Sequence, residues 1–303
     1  MPAELSEGPG IAATHPGDRE IERHPAVVFA DGFETTESGR LPGGRRKGDE
    51  KKWDTSGGDC VITDQPENVH GGGKALEMTI VRPGTGLPAG AGVGKYFEDG
   101  CDTLFLRYYA KFGKDVELFH GGAHNGGGIA ARPPGVPQAC PGVRADGSNK
   151  FTVVLDTWRP SEEIPSPGWL VVYVYHMDQG GRWGDQFFPS GRVFPGSRQI
   201  FGEQFAPRPD FVPERGGWHC YELMVKANVP GDRDGRIAFW VDGRLLADFP
   251  NLRLRNVERL KSNRIDLGIY THNRRDVTDI KMWYDDVIAA TEYIGPQVPA
   301  ERA

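Results

Sequence analysis

The chain has 303 residues, and its 38% hydrophobic content is enough for a sizeable core, while 42 Gly and 24 Pro favour many turns over long helices. The formal net charge of −6 and the absence of a Lys/Arg-rich stripe argue against a nucleic-acid partner. No run approaches the roughly 20 apolar residues that a membrane helix needs, so we expect no membrane partner.

The first 25 residues carry no strand pattern and no targeting signal. Residues 1–25 are polar and lack the apolar core of a signal peptide, so we predict a flexible leader. The chain then either stays in the cytoplasm or begins after a removed leader. An even number of cysteines favours a secreted or periplasmic protein, although free buried cysteines fit equally well. The cysteines lack the CxxC spacing of a zinc site, and their pairing stays open: Cys60, Cys101, Cys140 and Cys220.

Strand signals recur along the rest of the chain, and helical periodicity does not. The run Val241-Asp242-Gly243-Arg244 is typical of a tight hairpin, because Asp-Gly tolerates the positive φ of such turns. Many short strands between Gly/Pro turns predict an all-β jelly-roll sandwich of two antiparallel sheets over residues 26–295, with a tail at 296–303. The predicted strands are 26–33, 75–81, 104–112, 151–156, 169–176, 218–228, 237–246, 265–272 and 280–291.

Residues 169–184, which read WLVVYVYHMDQGGRWG, are the most informative stretch. Strand geometry places Tyr173 and Tyr175 on one face, opposite Val172, Val174 and His176. Upstream, Thr157-Trp158-Arg159 ends a second strand with a hydroxyl, an aromatic ring and a fixed cation. Two phenols beside an arginine suit a sugar that carries a carboxylate, although aromatic residues are also ordinary strand formers.

Two long irregular stretches follow predicted strands. Residues 113–149, including the glycine-rich run 121–128, and residues 177–217 are dense in Gly, Pro, Arg, His and aromatic residues. Loops of this length in a compact domain are often functional. Because both follow strands of the same predicted sheet, we expect them to wall a cleft at one end of it.

Four segments resemble family 14 polysaccharide lyases and their relatives, which adopt a concanavalin A-like jelly roll. The segments are ADGFE at 30–34, YVYHMDQGGRWGD at 173–185, WHCYELMVKANVPGDRDGRIAFWVDG at 218–243 and WYDDVIAATEYIGP at 283–296. The resemblance covers roughly residues 26–295 and is most specific at N-x-P-G-x-x-D-G followed by W-V-D-G. It implies β-elimination on an acidic polysaccharide or oligosaccharide built from uronic acids, such as alginate or glucuronan.

The resemblance also implies roles for individual residues. The paired tyrosines of the family match Tyr173 and Tyr175, and its hydroxyl-x-arginine pair matches Thr157 and Arg159. In this assignment Arg159 neutralises the uronate carboxylate and Tyr175 protonates the leaving oxygen, while Tyr173 and Thr157 orient the sugar. The family's lysine is missing from the corresponding region, 118–125, so a histidine is expected to act as base. The candidates for that base are His120 and His124.

A second group of residues lies near the end of the predicted strand 265–272. Tyr270 and His272 share a face with Gly268, whose missing side chain leaves room for a ligand, and Asn273 follows. Aromatic residues at Trp158, Trp169, Trp183 and Tyr270 could equally form a stacking platform for sugars, so a non-catalytic carbohydrate-binding protein is the alternative.

A glycoside hydrolase is less well supported. Hydrolysis needs two carboxyl groups flanking the bond, and the run E-x-D-x-x-E typical of jelly-roll glucanases is absent. Adjacent acids at 162–163 and 285–286 point to opposite faces of an extended chain, which leaves only Asp178 and Asp185 near the tyrosine strand.

We expect a structural calcium ion as the only cofactor, and we expect no organic cofactor. In concanavalin A-like sandwiches the first and last strands often lie side by side on the sheet away from the cleft, tied by a cation. Glu34 and Asp286 would supply carboxylates from the two ends of this fold, with nearby carbonyls completing the oxygen ligands. Their alternative is to sit in turns or to pair with basic side chains.

Overall fold

Two antiparallel β-sheets packed face to face make up the structure. It is a computed structural model that describes residues 4–45, 52–81, 89–118, 123–133, 142–196, 201–271 and 279–300. Four short 3-10 helices span Ile11–Thr14, Pro16–Asp18, Ile21–Arg23 and Pro66–Asn68. The strands are β1 Val27–Asp31, β2 Gly39–Arg40, β3 Gly44–Arg45, β4 Thr55–Gly57, β5 Asp59–Thr63, β6 Ala75–Ile80, β7 Ala89–Cys101, β8 Thr103–Phe112, β9 Ala123–Ala131, β10 Phe151–Trp158, β11 Trp169–Tyr175, β12 Asp185–Phe187, β13 Val193–Phe194, β14 Trp218–Lys226, β15 Gly235–Val241, β16 Arg244–Leu252, β17 Ser262–Thr271 and β18 Ile280–Ala290.

Each sheet has nine strands. The back sheet runs β16-β15-β14-β8-β18-β6-β5-β2, with β1 also paired to β18, and the front sheet runs β13-β12-β11-β10-β9-β17-β7-β4-β3. Both sheets combine hairpins of consecutive strands with pairs that are distant in sequence, such as β14–β8, β8–β18 and β9–β17, as in a jelly roll. The predicted all-β sandwich of two antiparallel sheets is confirmed.

The core lies between the two sheets and follows the period of two. On the front sheet, Val153 and Leu155 of β10 and Val172 and Val174 of β11 are buried in it. Their neighbours in sequence therefore point to the opposite, outward face of this sheet, which we call the front face. The front face is the only side on which the two predicted tyrosines can lie.

The predicted strands agree closely with the structure, and the predicted hairpin joins β15 to β16 through Asp242 and Gly243, both at positive φ. Two long strands were missed, because β7 and β9 are built from glycine and alanine. Glycine disfavours strands, and the sequences AGAGVG and GGG offer no alternation of polar and apolar residues. The irregular stretch predicted at 113–149 therefore contains the strand β9.

The N-terminal segment, predicted as a flexible leader, packs on the outer side of the back sheet. Its Ile11 and Ile21 join a second apolar cluster with Trp240 and Ile294. Asp18 forms a buried ion pair with Arg107 of β8 at 2.5 Å. Two isolated isoleucines in a polar sequence give no periodic signal, so only the sheet surface shows what they contact.

The first and last strands lie side by side on the back sheet, as expected. β1 pairs with the end of β18, and Asp31 lies opposite Val287. Asp286 has a positive φ and sits where the register of β18 shifts between its contacts with β8. None of the helices among the described residues is long and apolar enough to cross a membrane. Cys60, Cys101 and Cys220 are free thiols, and Cys140 lies outside the described ranges.

Candidate active site

The two tyrosines of β11 form a hydrogen-bonded pair on the front face. The Tyr173 hydroxyl donates to the Tyr175 hydroxyl at 3.2 Å, and the backbone N–H of Gly184 donates to the Tyr173 oxygen at 3.1 Å. The N–H of Gly142 reaches the Tyr175 oxygen at 3.5 Å. The two predicted irregular stretches thus meet the tyrosine pair through Gly142 and Gly184.

Next to the tyrosine pair lies a histidine held by a buried carboxylate. His124 of β9 has its Nδ1 2.6 Å from the Oδ2 of Asp156 on β10. Asp156 is fully buried, and its Oδ1 accepts the backbone N–H of Asn125 at 3.0 Å and of Thr157 at 2.8 Å. Two backbone N–H groups therefore fix the carboxylate, which in turn fixes the imidazole ring.

The histidine ring faces both the tyrosine pair and solvent. Its centroid lies 5.0 Å from that of Tyr173 and 5.7 Å from that of Tyr270, and its side chain is 36% exposed. Because the Asp156 carboxylate can only accept, Nδ1 carries the proton and Nε2 presents its lone pair. No described residue bonds Nε2, so this nitrogen is available to a ligand.

The surroundings of His124 and Tyr173 raise the pKa values of both side chains. Burial disfavours the charged form of His124, but the charge and hydrogen bond of Asp156 outweigh it and raise the pKa of the imidazole. Burial, followed by the hydrogen bond to Tyr175, raises the pKa of Tyr173 well above its ordinary value. Tyr173 therefore keeps its proton at neutral pH.

A lysine joins the site from a position that the sequence analysis did not consider. Lys150 precedes β10, and its Nζ lies 3.9 Å from the centroid of the Tyr175 ring. The family lysine was expected in the glycine-rich region, where this chain has none. Lys150 lies two residues before Thr152, so the period of a strand places both side chains on the same face. This spacing is the only sequence signal that could have identified Lys150.

Asp156 was also missed, although the strand period points to it. It shares the front face with Trp158, and it follows Leu155, whose side chain lies in the core. A charged residue in the middle of an apolar strand signals a buried partner, since isolated charges are rarely buried. That partner, His124, lies 32 positions away on a strand that the sequence did not reveal.

Arg159 and Thr157 contact protein groups other than the tyrosine pair. The Arg159 guanidinium is buried, and it donates to Glu117 at 2.8 Å and to the carbonyls of Leu118 and Ile164. The Thr157 hydroxyl accepts the amide of Asn125 at 2.8 Å. Binding of a substrate carboxylate by Arg159 stays a prediction. In the structure its guanidinium is bonded to Glu117 and to two backbone carbonyls.

Aromatic side chains extend the front face beyond Asp156. Trp158 lies opposite Trp169 in the β10–β11 pairing, and its ring is 4.9 Å from that of Phe194. Trp183 is 47% exposed, with the Arg182 guanidinium over its ring. Trp158 and Phe194 therefore lie at one end of the β10–β11 pair and Trp183 at the Tyr175 end, and each offers an aromatic face of the kind on which sugar rings stack.

Tyr270 lies where it was predicted, opposite His124 in the β17–β9 pairing. Gly268 of the same strand lies between Gly126 and Gly92, its direct partners on β9 and β7. We call these three residues the glycine row. It leaves a strip without side chains beside His124 and Tyr270. The predicted site residues His120, His272 and Asn273 lie outside the described ranges.

The two predicted calcium ligands approach the same loop. Glu34 accepts the N–H groups of Gly73 at 2.9 Å and Lys74 at 3.0 Å, and Asp286 lies 2.8 Å from Nδ1 of His70. Among the described residues, no group of three or more His, Cys, Asp or Glu side chains could hold a metal ion. The calcium ion therefore remains a proposal that rests on these two carboxylates and neighbouring carbonyls.

A groove of about 700 Å³ lies elsewhere and contains none of the predicted site residues. Its lining includes Lys226, Arg233 and Arg236, which pair with Asp234, Asp178 and Asp248 respectively. Because these cations already have carboxylate partners, the groove is a weaker candidate for an acidic ligand than the front face.

The fold is shared with solved alginate lyases. A doubly substituted alginate lyase in complex with alginate tetrasaccharide is 16% identical, with a TM-score of 0.61 over 90% of this chain and 98% of that chain. An alginate lyase from Chlorella virus is 11% identical, with a TM-score of 0.56 over 80% and 93%. A marine PL-14 alginate lyase from Aplysia kurodai is 13% identical, with a TM-score of 0.52 over 94% and 97%. At these identities the likeness establishes the fold.

No protein-family model matches the chain, and no curated protein sequence does either. The resemblance to family 14 in particular stays a prediction. The similarity to polysaccharide lyase structures, by contrast, spans nearly the whole chain.

Proposed function

We propose that this protein is a polysaccharide lyase that cleaves an acidic, uronate-containing glycan by β-elimination. The observation that carries the proposal is the meeting of two proton-transfer groups on one face: the His124–Asp156 pair and the Tyr173–Tyr175 pair, with ring centroids of His124 and Tyr173 5.0 Å apart. Solved structures of the same fold are alginate lyases, which supports this substrate class.

His124 acts as the base in this mechanism. Its Nε2 lone pair removes the proton from C5 of the uronate, and the electrons of that C–H bond form the C4–C5 double bond as the C4–O bond breaks. Asp156 holds the proton on Nδ1 and stabilises the imidazolium that results. The raised pKa of His124 makes it a stronger base than a free histidine.

Tyr175 acts as the acid. The Tyr173 hydroxyl is occupied as donor to Tyr175 and as acceptor from Gly184, so the Tyr175 proton is the one directed outward, toward the departing glycosidic oxygen. After transfer, the Tyr175 phenolate is stabilised by the Tyr173 O–H and by the positive charge of Lys150 near its ring. Arg159 remains the proposed partner of the uronate carboxylate, a role in which it would exchange Glu117 for the sugar.

Incubation with alginate, glucuronan and glycosaminoglycans tests the proposal, with the ultraviolet absorbance of the unsaturated uronate as the measured signal. We expect His124→Ala to lose about 10²–10⁴-fold in rate, the usual contribution of a general base. His219→Ala is the matched control, because His219 forms the same Nδ1–carboxylate pair with Asp242 at 2.8 Å, on the back sheet. Equal rates for the two variants would contradict the assignment.

A non-catalytic carbohydrate-binding protein is the second candidate. The exposed Trp183 and the tilted ring pair of Trp158 and Phe194 favour it, since binding needs only aromatic faces and a few hydrogen bonds. Binding of an acidic glycan without any unsaturated product, weakened by Trp183→Ala, would establish this function in place of the lyase.

A further inference from the structure

Two buried polar side chains flank the tyrosine pair on neighbouring strands. Gln186 of β12 lies directly opposite Tyr173, and Thr152 of β10 lies directly opposite Tyr175. Directly opposite residues share a face of the sheet, so both side chains lie on the front face beside the phenols. Neither residue has a role in the proposed proton transfers.

Both side chains carry a buried atom that lacks a hydrogen-bond partner. Gln186 is 6% exposed and Thr152 is 8% exposed, and neither Oε1 of Gln186 nor Oγ1 of Thr152 is bonded by any described residue. Unpaired buried polar atoms are rare in folded proteins, because each costs stability. Two of them beside one proton-transfer pair point to a partner that arrives with the ligand.

Gln179 shows how this protein treats a glutamine that only supports the fold. Gln179 is fully buried, and its amide donates to the carbonyls of Gly181 at 3.0 Å and Trp183 at 2.8 Å, while its Oε1 accepts the N–H of His176 at 3.0 Å. The side-chain amide of Gln179 therefore has a partner for its oxygen and for its NH₂ group. Gln186, seven residues later, has none of these contacts.

The glycine row gives the direction in which a chain-like ligand fits. Gly126, Gly268 and Gly92 lie opposite one another on β9, β17 and β7, so the strip without side chains crosses the strands. The line of directly paired residues that contains Gln186 runs parallel to this strip, through Tyr173 and Val154 to Gly128, two residues along β9 from Gly126. Five strand spacings separate β12 from β7, about 24 Å, which accommodates several sugar units.

We propose that Gln186 and Thr152 bind the hydroxyl groups of the sugar on the tyrosine side of the cleaved bond, in a glycan that lies across the strands. The inference rests on the proposed function and deepens it. Because Oε1 of Gln186 can only accept, its partner is a free sugar hydroxyl. Replacing that hydroxyl by an O-acetyl ester removes the donor and adds bulk, so the site selects unacetylated uronates.

The substitution Gln186→Met tests this, since it keeps the length of the side chain and removes the amide. Binding is measured by calorimetry on the His124→Ala background, with unacetylated and O-acetylated alginate and glucuronan oligosaccharides as probes. We expect Gln186→Met to weaken binding of the unacetylated probes about tenfold, the effect of one hydrogen bond whose loss leaves a polar group unpaired. O-acetylation of the probe should weaken binding to the His124→Ala parent by a similar factor. In the variant that also carries Gln186→Met, O-acetylation should weaken binding little further. Thr152→Val should act in the same direction.

Thermal unfolding separates a ligand-binding role from a structural one. Gln186→Met should leave the melting temperature unchanged or raise it, because it removes an unpaired buried group, whereas the control Gln179→Met should lower it. A Gln186→Met variant that binds as the parent does, or that melts as early as Gln179→Met, would overturn the inference. So would a parent that binds none of the probes.

Cleavage by the wild-type protein decides the proposed function separately. If the wild type cleaves a probe while Gln186→Met binds normally, the inference alone fails. If a probe binds without being cleaved, and Gln186→Met abolishes that binding, the lyase assignment fails and the hydroxyl-binding site stands.

Discussion

Asp156→Asn is the substitution whose effect the structure defines best. The Oδ1 of Asp156 accepts two backbone N–H groups, from Asn125 and Thr157, while Oδ2 faces Nδ1 of His124. An asparagine must place its oxygen where the two N–H donors are, because its NH₂ group cannot accept them. That NH₂ group then points at Nδ1 of His124.

The consequence is a change of tautomer. Nδ1 becomes the acceptor, Nε2 takes the proton, and the nitrogen that faces the substrate loses its lone pair. We therefore expect Asp156→Asn to reduce kcat/KM about as much as His124→Ala does, by about 10²–10⁴-fold, which corresponds to about 3–5 kcal/mol of transition-state stabilisation. The substitution should leave the fold intact.

Initial rates of unsaturated-uronate formation, together with ¹⁵N chemical shifts of the histidine ring, measure both effects. Asp242→Asn is the matched control, because Asp242 also accepts a backbone N–H, from Cys220 at 2.8 Å, and faces Nδ1 of His219. It should change the tautomer of His219 and leave the rate unchanged. Retention of more than a tenth of the activity by Asp156→Asn, with the tautomer changed, would refute the role of Nε2 as base.

Burial raises the pKa of Glu222 from 4.5 to about 7. The stabilising effect of its protonated form is therefore complete below pH 4.5 and is lost as the pH rises through about 7. Urea unfolding should show the free energy of unfolding falling by about 3 kcal/mol across that interval, and Glu222→Gln should remove this pH dependence. Arg159→Ala should lower the melting temperature, since it removes a donor from Glu117 and from the carbonyls of Leu118 and Ile164. An unchanged midpoint would show that these contacts do not stabilise the fold. If calcium is bound near Glu34 and Asp286, excess chelator should lower the melting midpoint and Asp286→Ala should abolish that shift, whereas an unchanged midpoint removes the ion from this account.

The sequence predicted the elements whose side chains alternate. In β11 the period of two placed Tyr173 and Tyr175 on one face, and the structure shows their hydroxyls 3.2 Å apart. The glycine-rich strands β7 and β9 were not predictable in this way, because glycine has no side chain from which a face could be read. His124 was identified as a candidate base, yet its partner could not be, since that pairing depends on where β9 lies.

Other differences arise from contacts that only the folded chain provides. Arg159 was assigned to the substrate carboxylate because it matches the hydroxyl-x-arginine pair of the family and is always charged, and that role stays a prediction. The contact of its guanidinium with Glu117 could not be predicted, because it depends on where the turn after β10 lies. The N-terminal segment was predicted to be flexible because it is polar and lacks an apolar run, but the surface of the back sheet buries its Ile11 and Ile21.

The mass of the products from a defined uronate oligosaccharide tests the central claim most directly. β-Elimination divides the substrate without adding water, so the masses of the two fragments must sum to that of the parent, and one fragment must carry the C4–C5 double bond. We predict this result for the wild type and its loss in His124→Ala, with His219→Ala unaffected. Fragments that together exceed the parent by one water molecule would identify a hydrolase and contradict the account.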